Sequence, residues 1–161
     1  MMHLVELVFQ ATEQLATKKL KISTAESCTG GLIASLLTEL PGSSSWFERG
    51  FVTYSNLAKV EMLDVDEGLI NTRGAVSKEV AEAMALGALS HSAADLSLAV
   101  TGVAGPSGGS VEKPVGTVWL AWAMKNRPVQ SVHCHFQDVS RQIFRQLVSA
   151  RALEGVIRLL G

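Results

Sequence analysis

Apolar residues Leu4, Leu7, Val8, Ala11 and Leu15 recur at the spacing that lines one face of a helix, so residues 3 to 18 are expected to form an amphipathic helix. The period then changes to two: Leu20-Lys21-Ile22-Ser23-Thr24 alternates as a short strand does. A second helical run, Leu32 to Leu37, continues toward the stop signal Pro41-Gly42, and Pro41 to Ser45 reads as a loop. Phe47 to Tyr54 carries the β-favouring Phe51, Val52 and Tyr54, which predicts a second strand ended by Ser55. Ser55 can in turn cap a helix through Leu57, Val60 and Met62. A short helix from Asp66 is expected next. Gly74-Ala75-Val76 then leads to Ser77, the cap of a longer helix with the apolar stripe Val80, Ala81, Met84, Ala85, Ala88 and Leu89. Leu96 to Val100 has the pattern of a short buried strand, and Thr101 to Gly109 is too rich in glycine to hold regular structure. Val115 to Met124 and Val129 to Phe136 flank Lys125-Asn126-Arg127-Pro128 as the arms of a hairpin. A last helix is expected from Asp138 to Leu160, with Ile143, Leu147, Ala150, Leu153, Ile157 and Leu160 on one face.

Helices alternating with strands and followed by a hairpin imply an α/β fold, a three-layer α/β/α sandwich around a mixed, mostly parallel sheet, closed by the hairpin and a helix. With 161 residues, 47% of them hydrophobic, one domain spanning 1–161 with a substantial core is expected. Lysine and arginine number 14 against 15 acidic residues, which argues against a nucleic-acid binder working through a broad basic surface. On this reading Arg141, Arg145, Arg151 and Arg158 are the polar faces of one helix. Met1 to Glu6 lacks the basic start and unbroken apolar core of a signal peptide, and the longest apolar run, Val118 to Met124, is too short to span a bilayer. A soluble, cytoplasmic protein is therefore the expectation. Cys28 and Cys134 make no disulfide framework and are expected to be free thiols.

Candidate chemistry concentrates in Ala25-Glu26-Ser27-Cys28-Thr29-Gly30-Gly31, which joins the first strand to the second helix. The first N–H groups of a helix lack internal partners, so Thr29, Gly30 and Gly31 could let an anion or a developing oxyanion approach Ser27 closely. The same residues also fit a bland reading, in which Ser27 or Thr29 is a helix cap and the glycines make a tight turn. Two further polar loops leave predicted strands: Tyr54-Ser55-Asn56, which leads to Lys59, and Thr101-Gly102. If the three strands run parallel, their loops share the sheet edge at which open α/β folds bind ligands. They would bring a serine, a lysine whose pKa burial and a helix N-terminus would lower, and a tyrosine, the parts of a serine–lysine acyl-transfer site. Lys59 reads equally well as a solvated surface residue, and Tyr54 as strand packing. His133 and His135 point to one face of a strand, but no third metal ligand is evident. Cys28 as the nucleophile lacks a visible histidine partner, and Glu26 is left outside the candidate set.

AESCTGG, YSNLAK, GAVS and TGVAGPSGG followed by EKPVGTVWLAW resemble, in this order and over nearly the whole chain, the competence/damage-inducible CinA C-terminal domain family. That family includes nicotinamide-nucleotide amidases. The resemblance implies hydrolysis of nicotinamide mononucleotide to nicotinic acid mononucleotide and ammonia, with no cofactor and no metal. It also implies Ser27 as nucleophile, Lys59 as general base, Tyr54 assisting, and Thr101, Gly102 and Arg141 at ligand-contacting positions. A homo-oligomer is implied by the family's habit of associating. The chain departs from the family's usual Phe-x-Gly-Asp-Arg in having Phe136-Gln137-Asp138-Val139-Ser140-Arg141, so one extra loop residue precedes Arg141.

Overall fold

A computed structural model describes residues 3–161. Its five strands are β1 (Ile22–Glu26), β2 (Phe47–Val52), β3 (Leu96–Gly102), β4 (Thr117–Met124) and β5 (Gln130–His135), arranged as β2-β1-β3-β4-β5. β1 runs parallel to both β2 and β3, whereas β4 is antiparallel to β3 and to β5. Four strands thus point one way and only β4 runs against them. The helices are α1 (Leu4–Lys18), α2 (Leu32–Leu37), α3 (Asn56–Leu63), α4 (Glu67–Arg73), α5 (Lys78–Ser90) and α6 (Arg141–Leu160).

The two faces of the sheet differ in side-chain size, and that difference sets the layers. Ile22, Leu96, Leu98, Val100, Val118, Leu120 and Trp122 project from one face into a core shared with α1, α2 and α6. The alternate positions Ala25, Ala99, Ala121 and Ala123 meet α3, α4 and α5. Small residues let α5 lie close enough for sheet hydroxyls to reach its carbonyls: Ser23 Oγ donates to Ala88 O at 3.2 Å and Ser97 Oγ to Ala85 O at 2.5 Å. Gly87 of α5 faces the Leu63 carbonyl where a Cβ would not fit, so α3 is drawn against α5. On the other face Gly155 of α6 leaves room for the Trp122 ring, whose Nε1 donates to Ala152 O at 3.0 Å.

Serine hydroxyls start three helices, accepting from Ala58 N (Ser55), Val80 N (Ser77) and Ile143 N (Ser140) at 3.0 to 3.2 Å. The last helix therefore begins at Arg141 and not at Asp138, whose φ of 56° is left-handed and cannot enter an α-helix. The second strand ends at Val52, two residues before Tyr54, although Thr53 N still donates to Glu26 O at 2.8 Å. Within the expected loop after Pro41, Ser43–Ser45 form a 3-10 turn. No helix among the described residues is long and apolar enough to cross a membrane.

Candidate active site

Because β1, β2 and β3 are parallel, the residues following each of them meet at one edge of the sheet. There Ser27, Cys28, Tyr54, Asn56, Lys59, Ala75, Val76, Thr101, Gly102, Ala104 and Arg141 line an open cavity of about 220 Å³. Lys59 rises from the first turn of α3 and is only 1% exposed. Its Nζ lies 2.9 Å from Thr53 O, 3.3 Å from Tyr54 O and 3.0 Å from Ser27 Oγ. Burial pulls the Lys59 pKa down to about 8. A Cys28 thiolate would oppose that shift, but burial pushes the Cys28 thiol up to about 12, so it carries no charge near neutrality.

The arrangement matches the hydrogen-bond capacity of a neutral amine, which has two N–H donors and one lone pair. The charged form donates to all three neighbours, Thr53 O, Tyr54 O and Ser27 Oγ; on losing a proton the amine keeps two donors for the carbonyls and turns its lone pair to the Ser27 hydroxyl. Ser27 Oγ has one other acceptor in reach, Tyr54 O, at a longer 3.4 Å. A serine with a buried amine as its better proton acceptor is an activated nucleophile.

Glu26, directly before Ser27, is fully buried. Its carboxylate accepts from Thr29 Oγ1 at 2.6 Å and from the backbone N–H groups of Ile33 and Ala34 at 2.8 and 3.0 Å. The N-terminus of α2 is thus satisfied by Glu26 and not by a Ser27 or Thr29 cap, and the Glu26 carboxylate is engaged by three donors. On the far side of the cavity Arg141 donates to Gly105 O at 2.8 Å and to the Tyr54 hydroxyl at 2.9 Å. Thr101 Oγ1 donates to Ala75 O at 2.9 Å, fixing the segment that leads into α5.

The CinA C-terminal domain model matches residues 5–160. The chain belongs to the CinA C-terminal domain family. Among relatives within that family, the nicotinamide-nucleotide amidohydrolase PncC of Pseudomonas putida is 52% identical, with 91% of each chain covered. PncC of Escherichia coli strain K12 is 45% identical, over 94% of this chain and 91% of that protein. A CinA-like protein of Akkermansia muciniphila is 52% identical over 89% of this chain, which spans only 34% of that longer relative. The crystal structure of the competence/damage inducible protein CihA from Agrobacterium tumefaciens superposes with a TM-score of 0.95 at 47% identity, covering 97% of this chain and 94% of that one.

Of the residues that the family motifs single out, Ser27, Lys59, Tyr54, Thr101, Gly102 and Arg141 all line the cavity. Thr29, Gly30 and Gly31 do not: the Thr29 side chain turns away to Glu26, and Gly30 and Gly31, at φ 59° and 104°, form the left-handed entry to α2. Between Phe136 and Arg141 the chain takes a left-handed turn at Asp138, and Arg141 reaches the site. Asn56 lines the cavity without having been singled out, although its place beside Tyr54 and Lys59 in one motif was a usable signal. Arg145, read from sequence as part of a solvated helix face, instead donates from Nη2 to Thr29 O at 2.6 Å. Nothing in the sequence pairs residues 29 and 145. Both cysteines are free, Cys28 buried and Cys134 half-buried. His133 tilts against Trp119 with ring centroids 5.1 Å apart, His135 Nε2 lies 3.1 Å from Val115 O, and no metal-binding group of three or more His, Cys, Asp or Glu occurs among the described residues.

Proposed function

We propose that this chain is a nicotinamide-nucleotide amidohydrolase working through a serine–lysine acyl-enzyme. The observation that carries the reading is the Lys59 amine, buried, poised near pH 8 and 3.0 Å from Ser27 Oγ. Neutral Lys59 takes the hydroxyl proton as Ser27 Oγ attacks the carboxamide carbon of nicotinamide mononucleotide. The backbone N–H of Cys28, which lines the cavity beside Ser27, supplies a donor for the oxyanion. Lys59 then returns its proton to the amide nitrogen, the C–N bond breaks, ammonia leaves and a nicotinoyl ester remains on Ser27. Water, deprotonated in its turn by Lys59, cleaves that ester to nicotinic acid mononucleotide and restores the serine.

Charge in the cavity supports a phosphorylated substrate. Lys59 and Arg141 are the charged side chains lining it, and no carboxylate does. Arg141 uses two of its five N–H donors on Gly105 and Tyr54, leaving donors for a phosphate oxygen. The near-full-length likeness to proteins named for this reaction supports the same substrate. Ammonia release from nicotinamide mononucleotide, followed with and without a chelator, tests the proposal. Turnover unaffected by chelation is expected. Binding without ammonia release would make the chain a nucleotide-binding module, and turnover lost to the chelator would overturn the serine–lysine route.

A further inference from the structure

Arg145 has no part in the reaction outlined above, yet its guanidinium is aimed at the turn that carries Ser27. Nη2 donates to Thr29 O at 2.6 Å, while Nε is buried without a hydrogen-bond partner. Thr29 is held from its other side, because its hydroxyl donates to Glu26 Oε1 at 2.6 Å. Glu26 is itself tied to the first turn of α2 through Ile33 N and Ala34 N. Ser27 and Cys28 therefore lie between two anchored residues, with Arg145 supplying the anchor from α6. One turn earlier on the same helix, Arg141 holds Tyr54 and Gly105. α6 thus braces both walls of the cavity through arginines spaced i, i+4. Gly30 fits this contact tightly, since a Cβ there would stand 3.2 Å from Arg145 Nη2.

We infer that Arg145 is a positioning residue for Ser27. It fixes the peptide that follows Thr29, and through it the line of attack of Ser27 Oγ, while touching neither the substrate nor Lys59. The inference rests on the acyl-transfer reading of the site. Misplacing a reacting atom by an ångström costs on the order of 100-fold in rate, so the contact matters to catalysis even where the fold survives its loss.

The test compares Arg145→Met, Arg145→Lys, Gly30→Ala and the Gly30→Ala/Arg145→Met double variant with the unaltered chain. One readout is kcat and KM on nicotinamide mononucleotide; the other is the rate at which a fluorophosphonate modifies Ser27, its Oγ displacing fluoride from phosphorus. Arg145→Met should lose about 100-fold in kcat and in labelling rate, with KM held within about threefold and the pH dependence unmoved. Arg145→Lys, which keeps one donor for Thr29 O, should recover about a tenth of the original rate. Gly30→Ala disturbs the same contact from the opposite side and also strains a left-handed backbone, so the double variant should lose less than the product of the two single losses. The inference is overturned if kcat per folded molecule in Arg145→Met stays within about threefold of the original, if the loss lies in KM alone, or if the pH dependence shifts. Should Arg145→Met not fold, unchanged kcat in both Arg145→Lys and Gly30→Ala overturns it equally. An unaltered chain that is labelled at Ser27 but releases no ammonia sinks the substrate reading instead, and the labelling rates still decide the role of Arg145.

Discussion

The pH dependence of turnover follows directly from the surroundings of Lys59. An ordinary lysine, with a pKa near 10.4, is neutral in only about one molecule in 2,500 at pH 7. Lowered to about 8, Lys59 is neutral in roughly one molecule in ten at that pH and in about half at pH 8. Burial alone thus raises the population carrying a usable base about 200-fold at pH 7. Log kcat/KM for ammonia release should rise with unit slope through the acidic range and level off above about pH 8. Lys59→Arg should be almost inactive, because a guanidinium cannot accept the Ser27 proton at any pH in the assay. The same shift links pH to stability. Folded Lys59 releases its proton near pH 8 and the unfolded chain only near 10.4, so between those values the unfolded state binds more protons and folding should strengthen as pH rises. Below about 8 both states are protonated and the cost of the buried charge is felt in full. A rate profile still climbing above pH 9.5, or a Lys59→Arg variant retaining a tenth or more of the activity, would refute the reasoning: Lys59 would then serve as a charge and not as a base.

Two substitutions separate chemistry from binding. Ser27→Ala should abolish turnover while calorimetry still detects nicotinamide mononucleotide binding; residual turnover above about one part in a thousand would move the nucleophile elsewhere. Arg141→Ala removes both a phosphate partner and the clasp on Tyr54 and Gly105, so KM should rise at least about tenfold, with a smaller fall in kcat; an unchanged KM contradicts its assignment. Gly155→Ala would drive a Cβ into the Trp122 ring and should destabilise the fold by about 1–3 kcal/mol in urea unfolding, with little effect on KM. A stability equal to that of the unaltered chain would show that α6 can shift away from the sheet.

Much of the fold was legible because the chain marks its elements locally. Ser55 and Ser77 sit where helix caps are expected, and each hydroxyl accepts the backbone N–H three residues on. The run at β1 alternates apolar and polar residues, those at β3 and β4 are short and largely apolar, and polar or glycine-rich turns bound them. The errors fall where one residue's backbone angle overrides a pattern: Asp138 reads as helical by composition yet turns left-handed, and Ser140 becomes the cap. The convergence of Ser27, Tyr54, Lys59 and Thr101 followed from strand order and direction. The Glu26–Thr29–Arg145 chain of hydrogen bonds did not, because it joins residues more than a hundred positions apart through one guanidinium and one peptide carbonyl. A buried carboxylate with three donors and a solvated one look the same in a sequence.

The chemistry of Lys59 depends on a feature far from the cavity, the small-residue face of the sheet. Ala25, Ala99, Ala121 and Ala123 leave space for α5 to settle on the strands. Gly87 then lets the Leu63 carbonyl at the end of α3 approach α5 where any side chain would block it. With α3 held down at that end, Lys59 one turn earlier is left only 1% exposed, at the floor of the cavity. Its amine is pressed onto the Thr53 and Tyr54 carbonyls that leave β2. Those carbonyls take two N–H bonds from the neutral amine and so make burial tolerable without a carboxylate partner. A neighbouring aspartate or glutamate would have solved the same burial problem by keeping the lysine charged, and would have removed the base. The reactivity proposed for the Ser27–Lys59 pair therefore rests on what the fold withholds from Lys59, namely most of its hydration and a counter-ion, as much as on the 3.0 Å separation itself.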